Sequence, residues 1–172
     1  MKKQELDHVL RAAGRITQEK QFIIVGSQSL HGKYPDLADE VDLIAKNAPR
    51  KTDSLNVIGV FSNFHQQFGY YADPVDERTA TLPKGWRGRL VNLPPGDTDG
   101  VLGLCLDPHD LAISKYVAGR EKDIEFNRQL ASRGLIDRDK LLQLLTVTPI
   151  AADQRERIAA AIAADFSAGH RR

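Results

Sequence analysis

The residues best suited to chemistry in this sequence are Glu40 and Asp42, two carboxylates two positions apart in the apolar stretch Glu40-Val41-Asp42-Leu43-Ile44. Successive side chains on a strand alternate faces, so these acids are expected to project side by side from one surface. Neighbouring carboxylates repel each other and are costly to keep ionised unless a cation joins them. Upstream, Phe22-Ile23-Ile24-Val25 reads as a buried strand that runs directly into Gly26-Ser27. Backbone N–H groups at such a turn can face a phosphate. The plainer reading is a glycine that relieves crowding before a serine-capped helix. A phosphate turn beside a two-carboxylate strand outlines a metal-dependent nucleotide site.

The chain that must position these groups has 172 residues, 41% of them apolar and 27% charged, as expected of a globular protein able to enclose a core. A formal net charge of +1 gives no global argument for nucleic-acid or membrane binding. No apolar run approaches membrane-span length, and the opening segment lacks the apolar stretch of a signal peptide, so a cytoplasmic location is expected. Cys105 is the only cysteine, which excludes an internal disulfide and a cysteine-based metal cluster. The five histidines share no zinc spacing.

Periodicity and punctuation predict the elements. Leu6, Val9, Leu10 and Ala13 give a helix over residues 3–13, stopping near Gly14. Ser27 is expected to cap a first helical turn, which turn residues 31–36 then break. Leu55 and Ile58, with Phe61 or Phe64, are expected to line a helix starting near Thr52 or Asp53. Strands are expected over residues 68–72, 90–93 and 101–106, with 79–82 extending the sheet. Asp73-Pro74-Val75-Asp76-Glu77 reads as an acidic turn. Beyond it, Asp107-Pro108 starts a helix that meets Gly119, and residues 121–133 form the next. Asp137 caps a third, and Ile158, Ile162 and Phe166 mark a last one. The expected class is α+β: a small mixed β-sheet with flanking helices over residues 1–106, followed by a C-terminal helical bundle over 107–172.

The order strand, Gly-Ser, spacer and acid-x-acid strand resembles the polymerase-β-like nucleotidyltransferase superfamily. More specifically, the chain is similar to small bacterial nucleotidyltransferase-like proteins related to AbiEii-type toxins of abortive-infection and toxin–antitoxin systems. The stretches that carry this likeness are Ile24-Val25-Gly26-Ser27-Gln28, Glu40-Val41-Asp42-Leu43, Phe64-His65, Phe68-Gly69-Tyr70-Tyr71-Ala72, Leu82-Pro83-Lys84-Gly85-Trp86-Arg87 and Asp110-Leu111-Ala112-Ile113-Ser114-Lys115 with Ala118-Gly119-Arg120-Glu121-Lys122-Asp123. The resemblance implies an NTP substrate and Mg²⁺ or Mn²⁺ held by Glu40 and Asp42. It implies Gly26 and Ser27 at the triphosphate, and Lys115, Arg120 and Lys122 at the nucleotide phosphates. The acceptor it implies is RNA, such as the 3′ end of a tRNA, or a protein side chain, with a cognate toxin or antitoxin as a further partner.

Two departures leave the activity open. Glutamate stands at position 40, where the superfamily usually has aspartate. A third acid, the general base towards the acceptor hydroxyl, has Asp73 and Asp76 as its nearest candidates, while residues 90–93 offer only Asn92. The alternative is a catalytically silent nucleotide-binding or protein-interaction module.

Overall fold

The computed structural model describes residues 1–31 and 39–168. The turn expected across 32–36 and His170 lie outside the described residues. The chain divides into two compact units, one formed by Met1–Thr79 with Leu90–Leu106 and the other by Ala80–Arg89 with the chain from Asp107 onward.

The first unit is built on a five-stranded mixed sheet of order β3-β2-β1-β5-β4. The strands are β1 (Gln21–Ile24), β2 (Glu40–Ala45), β3 (Tyr71–Pro74), β4 (Val91–Asn92) and β5 (Leu102–Cys105). β1 runs antiparallel to β2 and parallel to β5, β2 runs parallel to β3, and β4 is antiparallel to β5. One face presents Phe22, Ile24, Val41, Leu43, Ala45 and Ala72, which pack with Leu6, Val9, Leu10 and Ala13 of α1 (Lys3–Thr17) into the main core. By alternation the opposite face carries the buried Ile23, Ile44 and Leu104 at its centre and Glu40, Asp42, Tyr71 and Asp73 towards the β3 edge.

Several sequence expectations need correction here. α1 continues through Gly14 to Thr17, and this glycine serves close packing instead of ending the helix: a Cβ there would lie 2.4 Å from Val101 Cγ2. The helix expected near Thr52 is a 3₁₀ helix, Pro49–Ile58, whose buried residues Thr52, Leu55 and Ile58 recur every third position. Phe64 lies on a separate short helix, α2 (Asn63–Phe68), and Phe61 points to solvent. The strand expected from Phe68 begins at Tyr71. The Ser62 side chain accepts a hydrogen bond from the His65 N–H at the start of α2, and Gly69 closes the helix at φ +78°, so Phe68 belongs to α2. Residues 79–82 add no strand; a short 3₁₀ turn, Glu77–Thr79, follows β3 instead.

The second unit contains α3 (Pro108–Ala118), α4 (Glu121–Ser132), α5 (Arg138–Thr146) and α6 (Ala152–Ala168). Asp107 and Asp137 cap α3 and α5 as their sequence context predicts, and Gly119 ends α3 in the left-handed region. His109 joins the two caps: its Nδ1 lies 2.9 Å from Asp107 Oδ1, and its Nε2 accepts from the Asp137 N–H at 2.9 Å. The fully buried Asp110 carboxylate receives a fork of hydrogen bonds from Arg89 Nε and Nη2 at 2.9 and 2.8 Å. No helix among the described residues is long and apolar enough to cross a membrane.

Candidate active site

The site is assembled where β1 stops and β2 continues. Ile24 pairs with Leu43, after which the Val25 N–H donates to the Asp42 carbonyl at 3.2 Å. Gly26 is thereby laid against the Asp42 side chain. A Cβ on Gly26 would fall 1.6 Å from Asp42 Oδ2 and 2.8 Å from its Cγ, which no real side chain could tolerate. The Gly26 backbone is extended, at φ −92° and ψ −162°, so glycine is required here for space and not for its φ. The next residues form a single 3₁₀ turn, Ser27–Leu30, with Gly26 and not Ser27 at the cap position. Ser29 fastens this turn to the strand through Oγ donating to the Ile24 carbonyl at 2.6 Å.

Glu40 and Asp42 share one face of β2, both half-buried, with the buried Val41 and Leu43 turned the other way. β3 lies alongside in parallel register, with Tyr71 opposite Glu40 and Asp73 opposite Asp42. Residues in register on adjacent strands share a face, so Asp73 joins the two acids. Partial desolvation and then the neighbouring Glu40 charge raise the Asp73 carboxyl above its ordinary value. Burial raises the Tyr71 phenol, helped by the charges of Glu40, Asp73, Asp42 and Asp39, which marks this ring as the neighbour of the acidic face.

The other candidates lie on the turn after β3, on β4 and in the helical unit. Asp76 lies beyond β3 in an exposed turn, where its carboxylate accepts from the Arg78 backbone N–H at 2.8 Å and from its guanidinium at 2.9 and 3.2 Å. These bonds from Arg78 hold the Asp76 carboxyl below its usual range. Asn92 sits on β4, the opposite edge of the sheet from β3. A cavity of about 380 Å³ also lies at that far edge, lined by Leu10, Asn92, Leu93, Pro94 and Val101 among others. In the helical unit Lys115 Nζ and Arg120 Nε reach the fully buried Asp123 carboxylate at 3.0 and 2.5 Å, and Lys115 also lies 4.5 Å from the Phe126 ring centre. The Lys115 stem thus ends on an anion supplied by the chain itself. Lys122 is exposed.

The family model that describes nucleotidyltransferases of unknown function, DUF6036, matches residues 3–168. The chain belongs to this family. The match takes in the glycine turn, the paired acids of β2, the β3 acid and the helical unit together. Searches of curated proteins and of solved structures return no match. The DUF6036 assignment makes nucleotidyl transfer the chemistry against which the acidic face is to be read.

Proposed function

We propose that this DUF6036 protein is a divalent-metal-dependent nucleotidyltransferase, moving a nucleoside monophosphate from an NTP to a hydroxyl group with release of pyrophosphate. One observation carries the reading: Glu40, Asp42 and Asp73 share a sheet face, and the Gly26 turn is pressed against the middle acid. The donors are all carboxylate oxygens, the set that suits Mg²⁺ or Mn²⁺. Among the described residues no three His, Cys, Asp or Glu side chains converge as a ready-made ligand set. Mg²⁺ is usually held by one or two carboxylates completed by water and substrate phosphates, so Glu40 and Asp42 suffice as its protein ligands. When bound, the ion would neutralise the triphosphate and stabilise charge on the attacking and leaving oxygens.

The residues then take distinct roles. Gly26, having no side chain, makes room for the Asp42 carboxylate against its backbone, and the turn it opens with the half-buried Ser27 would take the polyphosphate of a nucleotide whose metal Asp42 holds. Asp73, with its raised proton affinity, is the group to accept the proton of the attacking hydroxyl. The assignment of Lys115, Arg120 and Lys122 to the nucleotide phosphates rests on family resemblance. The same holds for an RNA or protein acceptor, and for an AbiEii-like toxin or phage-defence setting with a cognate partner. A catalytically silent nucleotide-binding module is the competing reading, favoured by the absence of a three-acid cluster among the described residues.

The test is incubation of the purified chain with labelled NTPs, Mg²⁺ or Mn²⁺ and total RNA, beside Asp42→Ala and Asp73→Asn. Label should move to RNA or protein with wild type and be lost in both variants. Transfer that survives Asp42→Ala would remove the acidic face from the mechanism. Metal-dependent NTP binding without transfer would establish the silent module.

A further inference from the structure

We infer that His109 is an acid-sensitive latch between the first turns of α3 and α5, closed while its imidazole is neutral and released from α5 when the ring takes a second proton. The latch lies wholly within the helical unit and does not depend on the nucleotidyl-transfer reading.

The bonding of the ring fixes its protonation state. A backbone N–H can only donate, so the Asp137 N–H, 2.9 Å from His109 Nε2, requires a lone pair on that nitrogen. The single ring proton of the neutral imidazole therefore sits on Nδ1 and is donated to Asp107 Oδ1, also at 2.9 Å. The same carboxylate oxygen accepts from the His109 backbone N–H at 2.9 Å, so ring and main chain are clamped to one cap. The ring thereby spans two helix starts that are 28 residues apart in the chain.

A second proton can enter only at Nε2. There it would set one N–H against another and take away the acceptor of the Asp137 N–H. The new charge also falls beside Lys140, whose Nζ reaches Asp107 Oδ2 and Oδ1 at 3.2 and 3.4 Å and is the other polar tie from α5 to the α3 cap. Two cations would then compete for one carboxylate. Burial opposes ionisation of Asp107, but hydrogen bonds from His109 and then the charge of Lys140 prevail and hold its carboxyl well below the usual carboxylate range. Asp107 is therefore still an anion when the imidazole gains its proton, and it keeps the ring. His109 stays with α3 and lets go of α5.

The other charges around the ring are committed. Asp137 Oδ1 accepts from the Lys140 N–H at 2.9 Å as the cap of α5. Asp110, next on α3, is engaged by the Arg89 fork, and the Arg89 charge faces Asp107 as well. Arg138 and Asp139, on the first turn of α5, are exposed. Leu141, Leu144 and Leu145 are buried further along α5, so release is confined to its first turn and does not free the helix.

Nuclear magnetic resonance of the nitrogen-15-labelled full chain tests the inference. In mildly alkaline solution His109 should show the Nδ1–H tautomer, with the Asp137 amide protected from hydrogen exchange. From about pH 8 to about pH 5, the interval in which imidazoles titrate, the His109 ring and the Asp137 amide should shift together. Protection of that amide, corrected for the intrinsic pH dependence of exchange, should fall about fivefold, the loss expected for one hydrogen bond. In His109→Gln, with native helix content checked by far-UV circular dichroism, the step at Asp137 should be gone. The wild-type titration stands by itself if that variant does not fold. An Nε2–H tautomer at neutrality, an Asp137 amide whose protection is constant across the interval, or an unchanged step in folded His109→Gln would overturn the proposal.

Discussion

Substituting Gly26 by alanine tests the contact on which the site is built. The added Cβ would stand 1.6 Å from Asp42 Oδ2, whereas real Cβ atoms keep at least 3.0 Å, so the carboxylate must retreat by about 1.4 Å. Two responses are open, and both damage the site. Rotating Asp42 off its rotamer costs about 0.5–1.5 kcal/mol and takes an oxygen away from the proposed metal position. Shifting the turn that begins at Gly26 costs about 1–3 kcal/mol, as overpacking does elsewhere. Gly26→Ala should therefore lower stability by about 1–2 kcal/mol in urea denaturation. It should weaken Mg²⁺-dependent NTP binding by calorimetry about tenfold or more, since a displaced ligand costs at least about 1.4 kcal/mol. In the Asp42→Ala background the clashing atoms are gone, and the same substitution should be nearly neutral for stability. The resulting coupling energy, about 1–2 kcal/mol, is what a direct contact requires. Equal destabilisation of both backgrounds would show that Gly26 does not meet Asp42 in solution.

Three further outcomes follow from the geometry. Asp73 has a raised carboxyl pKa in the folded state, so its ionised form opposes folding above the unfolded value near 4 and no longer does so below it. Asp73→Asn should therefore melt higher than wild type at pH 7 by an amount that vanishes as pH falls below about 4, with a gain of at most about 1 kcal/mol for a screened pair. Arg89→Ala leaves the fully buried Asp110 carboxylate without its partner and should cost about 3 kcal/mol in urea denaturation, whereas Asp110→Ala, which leaves only the partly exposed Arg89, should cost less. Gly14→Ala drives a methyl into Val101 and should cost about 1–2 kcal/mol by thermal melting despite alanine's better helix propensity, and a Val101→Ala background should relieve it.

What the sequence makes legible is whatever local chemistry decides. The apolar runs of β1 and β2 and the caps Asp107 and Asp137 declare themselves because their signals lie within a few residues. The third acid is different. Asp73-Pro74 carries a turn signature, but proline is tolerated on an edge strand, and β3 is the edge of this sheet. The aromatic run that reads as a strand from Phe68 is divided by a contest between β-propensity and the Ser62 and Gly69 caps, which the caps win. Strand register is non-local, so no inspection of residues 70–76 alone pairs Asp73 with Asp42. The close approach of Gly26 to Asp42 is hidden for the same reason, since it depends on β1 and β2 stopping at particular positions. The 3₁₀ helix left a trace that could have been read: Thr52, Leu55 and Ile58 keep a spacing of three throughout.

The placement of Ala80–Arg89 among the helices has a consequence for how such a protein can be cut and recombined. The chain leaves the sheet after Thr79, returns at Leu90 for β4 and β5, and leaves again after Leu106. A fragment starting at Asp107 would contain every long helix of its unit but not Arg89, leaving the Asp110 carboxylate in the interior with no counter-ion. The helical half is therefore not a detachable tail. An exchange of modules by simple end-to-end fusion would break it, and a workable chimaera must carry the ten-residue excursion together with the helices it locks.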